Sequence, residues 1–144
     1  MTRRHDTVVV RTGVRLLAPI AQIYALYVLF HGHYSPGGGF QGGVIFAAAY
    51  ILVGLAHGRE ELERRIRPRA LVAIAGLGVL VYLTTGILPF FWDARYLDYG
   101  AIEFLGHEIA RRRAWGILMV ESGVFLTVFS VITLLFLRLT EERP

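Results

Sequence analysis

Four stretches of this chain are apolar for long enough to approach a bilayer span, and charged or glycine-rich segments separate them. They run over about residues 14–30, 40–56, 70–92 and 114–137. A bilayer core about 30 Å thick takes roughly 20 apolar residues of helix. From 16 to 58 the chain holds no Asp, Glu, Lys or Arg, and 70–92 holds none either. The fourth stretch holds one such residue, Glu121. The pattern predicts an all-α membrane protein with four transmembrane helices and short loops, a single integral membrane domain over 1–144.

The connections differ in character. Residues 58–69 read as a short charged hairpin with Arg59, Glu60, Glu61, Glu63, Arg64, Arg65, Arg67 and Arg69. Residues 93–113 form a longer connection. Within it, Ile102, Leu105 and Ile109 share a face at three- and four-residue spacing, which predicts an amphipathic helix before the fourth span. Pro19 falls in the first turns expected of the first span, where a missing backbone donor is tolerated. Pro89 and the aromatic run Phe90-Phe91-Trp92 close the third span as an interface anchor.

Charge sets the orientation. The N-terminal flank through Arg15 holds Arg3, Arg4, Arg11 and Arg15, five arginines lie in 58–69, and Arg138 and Arg143 follow the last span. Four spans put all three groups on one side, so both termini are expected in the cytoplasm, with the cell (inner) membrane as the location. Arg111, Arg112 and Arg113 depart from this rule on the opposite side. The pI near 9.8 would suit a nucleic-acid binder, but the basic residues sit at membrane flanks and form no separate basic face, so no nucleic acid is expected. Arg3-Arg4 before an apolar stretch also resembles an export signal. That stretch is long, lacks a small-residue cleavage site and runs on into polar chain, so a retained span is predicted. There is no cysteine, which removes disulfides, thiolate metal sites and cysteine nucleophiles.

The first connection carries the most distinctive residues: His31-Gly32-His33-Tyr34-Ser35-Pro36-Gly37-Gly38-Gly39-Phe40-Gln41-Gly42-Gly43. Gly37 to Gly42 matches a G-x-G-x-x-G dinucleotide fingerprint in letters only, because that fingerprint needs a strand before it and a βαβ unit around it. Gly43, Ala47, Gly54 and Gly58 fall on one face of the second span, and such small-residue faces drive helix association in lipid. The pattern leaves open whether the partner helix is internal or foreign. His31 and His33 admit two readings, interfacial anchoring with hydrogen bonds to the glycine backbone, or proton and cation handling. Glu121 likewise reads as an ion- or proton-handling acid or as a structural one, since acids inside a span are costly. No catalytic constellation, cofactor motif or metal-ligand set stands out, and no enzyme activity is expected.

The glycine run resembles the signature of the B subunit of multisubunit Na⁺/H⁺ antiporters of the Mrp or Mnh type, a G-H-x-x-P-G-G-G-F-x-G-G core between the first two helices. Gly32, His33, Pro36, Gly37, Gly38, Gly39, Phe40, Gly42 and Gly43 match it. The resemblance implies a small integral subunit of a hetero-oligomeric antiporter. Its partners would be the other subunits, including large complex-I-like ones, the lipid bilayer, and the exchanged Na⁺ and H⁺, with transport driven by the proton-motive force. Two alternatives stay open: an equivalent subunit of a membrane-bound hydrogenase-like respiratory complex, and a purely structural scaffold.

Overall fold

Glycine positions decide which helices touch. The computed structural model describes residues 8–32 and 37–141 and contains five α-helices: α1 Val8–His31, α2 Gly39–His57, α3 Arg59–Arg65, α4 Pro68–Ile87 and α5 Ile109–Leu139. Among the described residues, α1, α2, α4 with its 3₁₀ extension, and α5 are long and apolar enough to cross a membrane. A β-carbon on Gly42 would lie 2.8 Å from the carbonyl oxygen of Ala25 in α1. One on the adjacent Gly43 would lie 3.0 Å from the carbonyl oxygen of Phe125 in α5. Two neighbouring glycines thus open α2 to α1 and to α5, with Gly42 also against the Phe125 ring. On the far side of α5, a β-carbon on Gly123 would lie 2.7 Å from the Gly78 carbonyl oxygen of α4.

The four long helices therefore stand in a row, α1–α2–α5–α4, and not in a closed square. The α1–α2, α2–α5 and α4–α5 pairs dominate the packing. Helices α2 and α5 run parallel, since Gly39 lies against Glu121, Gly43 against Phe125 and Gly54 against Phe136. Phe46 fills the space between them, meeting the Phe129 ring edge-on at 4.9 Å and the Phe125 ring at 5.3 Å. Tyr50 closes on Phe129 at 5.2 Å. Between 22% and 39% of the most apolar stretch of each span is buried within the chain, so most of each span must face lipid or other protein.

Four hydroxyls inside the spans are satisfied locally, as a medium without water favours, whereas the buried Ser130 hydroxyl has no hydrogen-bond partner among the described residues. Thr85 donates to the Val81 carbonyl, Ser122 to Leu118, Thr127 to Gly123 and Thr133 to Phe129, at 2.7 to 2.9 Å. Each bond reaches back one turn in its own helix.

Several elements differ from the sequence expectation. Residues 59–65 are helical because Arg59–Glu63 and Arg65–Glu61 pair one turn apart, at 2.6 and 3.2 Å. Arg59 also reaches Glu141 at 3.7 Å, tying α3 to the end of α5. Helix α1 reaches back to Val8, so Pro19 lies in its middle and not in its first turns. Proline has no N–H, so the Arg15 carbonyl loses its helical donor there. Helix α4 ends at Ile87 and continues as a 3₁₀ turn to Trp92 around Pro89.

The amphipathic helix expected over 98–113 does not form. Two single 3₁₀ turns, Tyr99–Ala101 and Glu103–Leu105, take its place, and α5 begins at Ile109. Gly106, at φ 148°, breaks the helical path. The connection instead folds back onto the helices. Tyr96 occupies the space beside Gly86, Tyr99 presses on Gly116, and Ile102 is fully buried. Arg112 locks this arrangement, donating from Nε to the Gly106 carbonyl at 2.6 Å and from Nη1 to the Gly100 carbonyl at 3.2 Å. One of the three arginines that violate the charge rule is thus committed to holding a loop.

Two predictions follow from this packing. Gly123→Leu would force α4 and α5 apart against backbone on both sides, whereas Gly76 has open space around it. The first is expected to cost at least 1–3 kcal/mol, about the usual range for overpacking, and Gly76→Leu should leave thermal stability in detergent near wild type. Burial, then the neighbouring Tyr82 and Tyr96, raise the Tyr99 phenol above its ordinary value. The folded connection favours the neutral phenol, so this stabilisation is complete below the ordinary tyrosine value of about 10. It is lost as pH rises through the higher folded value. Amide exchange of residues 95–108 should accelerate in that alkaline window, and Tyr99→Phe should abolish the acceleration.

Candidate functional site

The parallel register of α2 and α5 brings the glycine run and Glu121 together. A β-carbon on Gly32 would lie 2.5 Å from Glu121 Oε2 and 2.9 Å from Oε1. One on Gly38 would lie 2.7 Å from Oε1, and one on Gly39 would fall on the Glu121 carbonyl oxygen. The carboxylate therefore rests against two glycines, Gly32 after α1 and Gly38 at the start of α2, while Gly39 admits the Glu121 backbone. Any side chain there would occupy its place. Gly38 has φ 135°, open to glycine and strained for other residues. Glu121 Oε2 is closed off from solvent.

Electrostatics favour an anion in this cradle. Gly38 is the N-cap of α2, and the first amides of a helix carry the positive end of its dipole. Depth matters as well. Residues 109–120 of α5 precede Glu121, about 18 Å of helix at 1.5 Å per residue. Gly32 at the end of α1 and Gly38 and Gly39 at the start of α2 are level with Glu121, so these helix ends are recessed relative to the start of α5.

The other sequence candidates take distinct places. His31 lies on the exposed side of α1, its ring stacked on Tyr27 at 4.1 Å and its Nδ1 bonded to the Tyr27 carbonyl at 3.0 Å. Phe40 is exposed, and Gly37 is partly covered. Gly42 and Gly43 are helix contacts, Ala47 is fully buried beside Phe129, and Gly54 faces Phe136 and Leu62. Gly58 does not belong to that packing face. It lies past the end of α2 at φ 94°, with no atom within 4 Å of a built β-carbon, and makes the turn into α3. His33 and Pro36 lie outside the described residues. Among the described residues, no group of three His, Cys, Asp or Glu side chains could hold a metal ion.

Sequence reading treats Glu121 and the glycine run as separate features. A signal for their meeting is nevertheless present. Gly39, Gly43 and Ala47 recur every four residues, and so do Glu121, Phe125 and Phe129. A groove and a ridge of equal pitch interdigitate, which puts the acid at the head of the ridge, on the first glycine of the groove.

Comparison with known proteins covers this whole arrangement. The family model described as "Domain related to MnhB subunit of Na+/H+ antiporter" matches residues 9–134. Proteins named "Putative antiporter subunit mnhB2" in Staphylococcus aureus strains Newman, JH1 and COL are each 32% identical to the chain over 140 residues. The match takes in 97% of this chain and 99% of theirs. With the glycine cradle, Glu121 and all four long helices inside or overlapping the matched region, this four-span membrane protein belongs to the MnhB family of antiporter subunits.

Proposed function

We propose that this chain is an integral subunit of a multisubunit Na⁺/H⁺ antiporter of the cell membrane, driven by the proton-motive force, and that Glu121 lies on its cation or proton route. The observation that carries the route is the seating of the Glu121 carboxylate against Gly32 and Gly38, with the Glu121 backbone on Gly39. A carboxylate changes charge when it exchanges a proton for a cation, and here, among the described residues, Gly32 and Gly38 leave the room it occupies. The recessed helix ends give it a position within the span, where an ionisable group is costly without a role. His31 and His33 flank Gly32 in sequence, and we assign them to the approach to the carboxylate.

The row of four helices supports a life among other subunits. A row leaves most of each span uncovered by this chain, since only 22% to 39% of its most apolar stretch is buried within it. We assign that cover to the larger subunits of the complex, with both termini in the cytoplasm. The role is that of a transporter subunit and not an enzyme. The scaffold reading loses its best support, because Gly43 and Gly54 pack against α5 of the same chain and are not available to a foreign helix.

Two substitutions test the route in the assembled complex. Glu121→Gln keeps the shape of the side chain and removes its charge, and should lower Na⁺-dependent proton movement in inverted vesicles by about a hundredfold or more, the scale on which a positioned proton-transfer group contributes. Gly38→Ala should produce a comparable loss by displacing the carboxylate. Normal exchange by a Glu121→Gln complex that assembles in wild-type amounts would remove Glu121 from the route.

A further inference from the structure

At the opposite end of α2, a second polar site has no part in the ion-route reading. His57, the last residue of α2, has both ring nitrogens closed off from solvent, and neither has a hydrogen-bond partner. A neutral imidazole carries one donor and one acceptor, and buried polar atoms normally find partners. The ring lines a cavity of about 150 Å³ between α1, α2 and α3, together with Arg15, Pro19, Gln22 and Arg65. Its remaining walls are Val14, Ala18 and Val53. Arg15 and Arg65 are exposed, so the cavity reaches the surface.

The lining has a consistent chemistry. Arg15, Arg65, Gln22 and His57 all present N–H donors, and no carboxylate lines the cavity. Glu61 engages Arg65 through Nε at 3.2 Å, outside the lining. Two guanidinium residues, an amide and an imidazole line it from three helices, a set that suits a tetrahedral oxyanion, since guanidinium binds phosphate through paired donors. The cavity has room for such a group, being far larger than the space one water needs. Its depth selects the source. Arg15 immediately precedes the charge-free run, and His57 all but ends it. The cavity therefore sits at the boundary of hydrocarbon and headgroups, at the arginine-rich end, where lipid phosphates lie.

We infer that the cavity between α1, α2 and α3 binds the phosphate of an anionic phospholipid through Arg15, Gln22, His57 and Arg65. The lipid would clamp the start of α1 to the turn between α2 and α3, beside the backbone carbonyl that Pro19 leaves without its helical donor.

The test is lipid retention by the full chain extracted from nanodiscs and weighed intact by native mass spectrometry. Wild type should keep phosphatidylglycerol in preference to phosphatidylcholine. His57→Phe, which keeps a ring and removes both nitrogens, and Arg65→Gln should each lower that retention about tenfold, the scale of one charge-assisted hydrogen bond. Arg64→Gln, one residue away and outside the cavity, should not. Wild-type retention by His57→Phe, or equal losses for Arg64→Gln and Arg65→Gln, would overturn the site. If His57→Phe does not fold, the Arg65 and Arg64 pair decides. Millimolar inorganic phosphate should leave the lipid in place. Its displacement by phosphate would overturn the lipid assignment in favour of a soluble phosphate.

Discussion

The structure depends on one missing atom. At Gly39 a β-carbon would coincide with the carbonyl oxygen of Glu121, so α2 and α5 can meet at that point only through bare backbone. Lipid supplies no hydrophobic force between helices, and close approach of this kind is what holds them. Once Gly39 lies on Glu121, the four-residue pitch of both helices carries the contact down the pair, with Gly43 on Phe125 and Ala47 beside Phe129. The parallel register, the aromatic filling around Phe46 and the seat of the carboxylate follow from that first contact.

The same contact explains the asymmetry of the row. The end of α1 and the start of α2 are anchored at Glu121, partway along α5, so both helix ends stop short of the end where α4 and α5 are joined. Residues 93–108 occupy that end, with Tyr96 and Tyr99 set into the slots at Gly86 and Gly116 and with Arg112 binding two loop carbonyls. One end of the molecule is thus tall on the α4–α5 side and low on the α1–α2 side. A step of this shape, with a carboxylate at its foot, calls for a partner that fills it.

Much of this was legible in the residues. Hydropathy alone placed the four spans, because a stretch of about twenty uncharged apolar residues has few other stable fates. The glycine run pointed to its family before any coordinate was known. The misreadings share a cause. The 98–113 segment has helical spacing at Ile102, Leu105 and Ile109, but Gly106 at positive φ and the pull of the Tyr96 and Tyr99 slots outweigh weak periodicity over so short a stretch. Gly58 fits the wheel of α2 yet falls beyond its end, and a helical wheel carries no information on where a helix stops. The pairing of Glu121 with the glycines is tertiary. It required knowing which helices are neighbours, and only the equal pitch of Gly39-Gly43-Ala47 and Glu121-Phe125-Phe129 hinted at it.

Helix α2 is the element that connects these observations. Its start carries the glycines that admit Glu121, and its last residue is His57, with about 28 Å of helix between them at 1.5 Å per residue. Between those ends it is packed on both flanks, by α1 through Gly42 and by α5 through Gly43 and Gly54. A rigid rod held on two sides cannot bend in its middle without losing close contacts. Any tilt at the His57 end, where α3 and the start of α1 meet it, must therefore move the Gly38–Gly39 end against Glu121. The packing that seats the acid also makes its seat sensitive to whatever fixes the far end of α2.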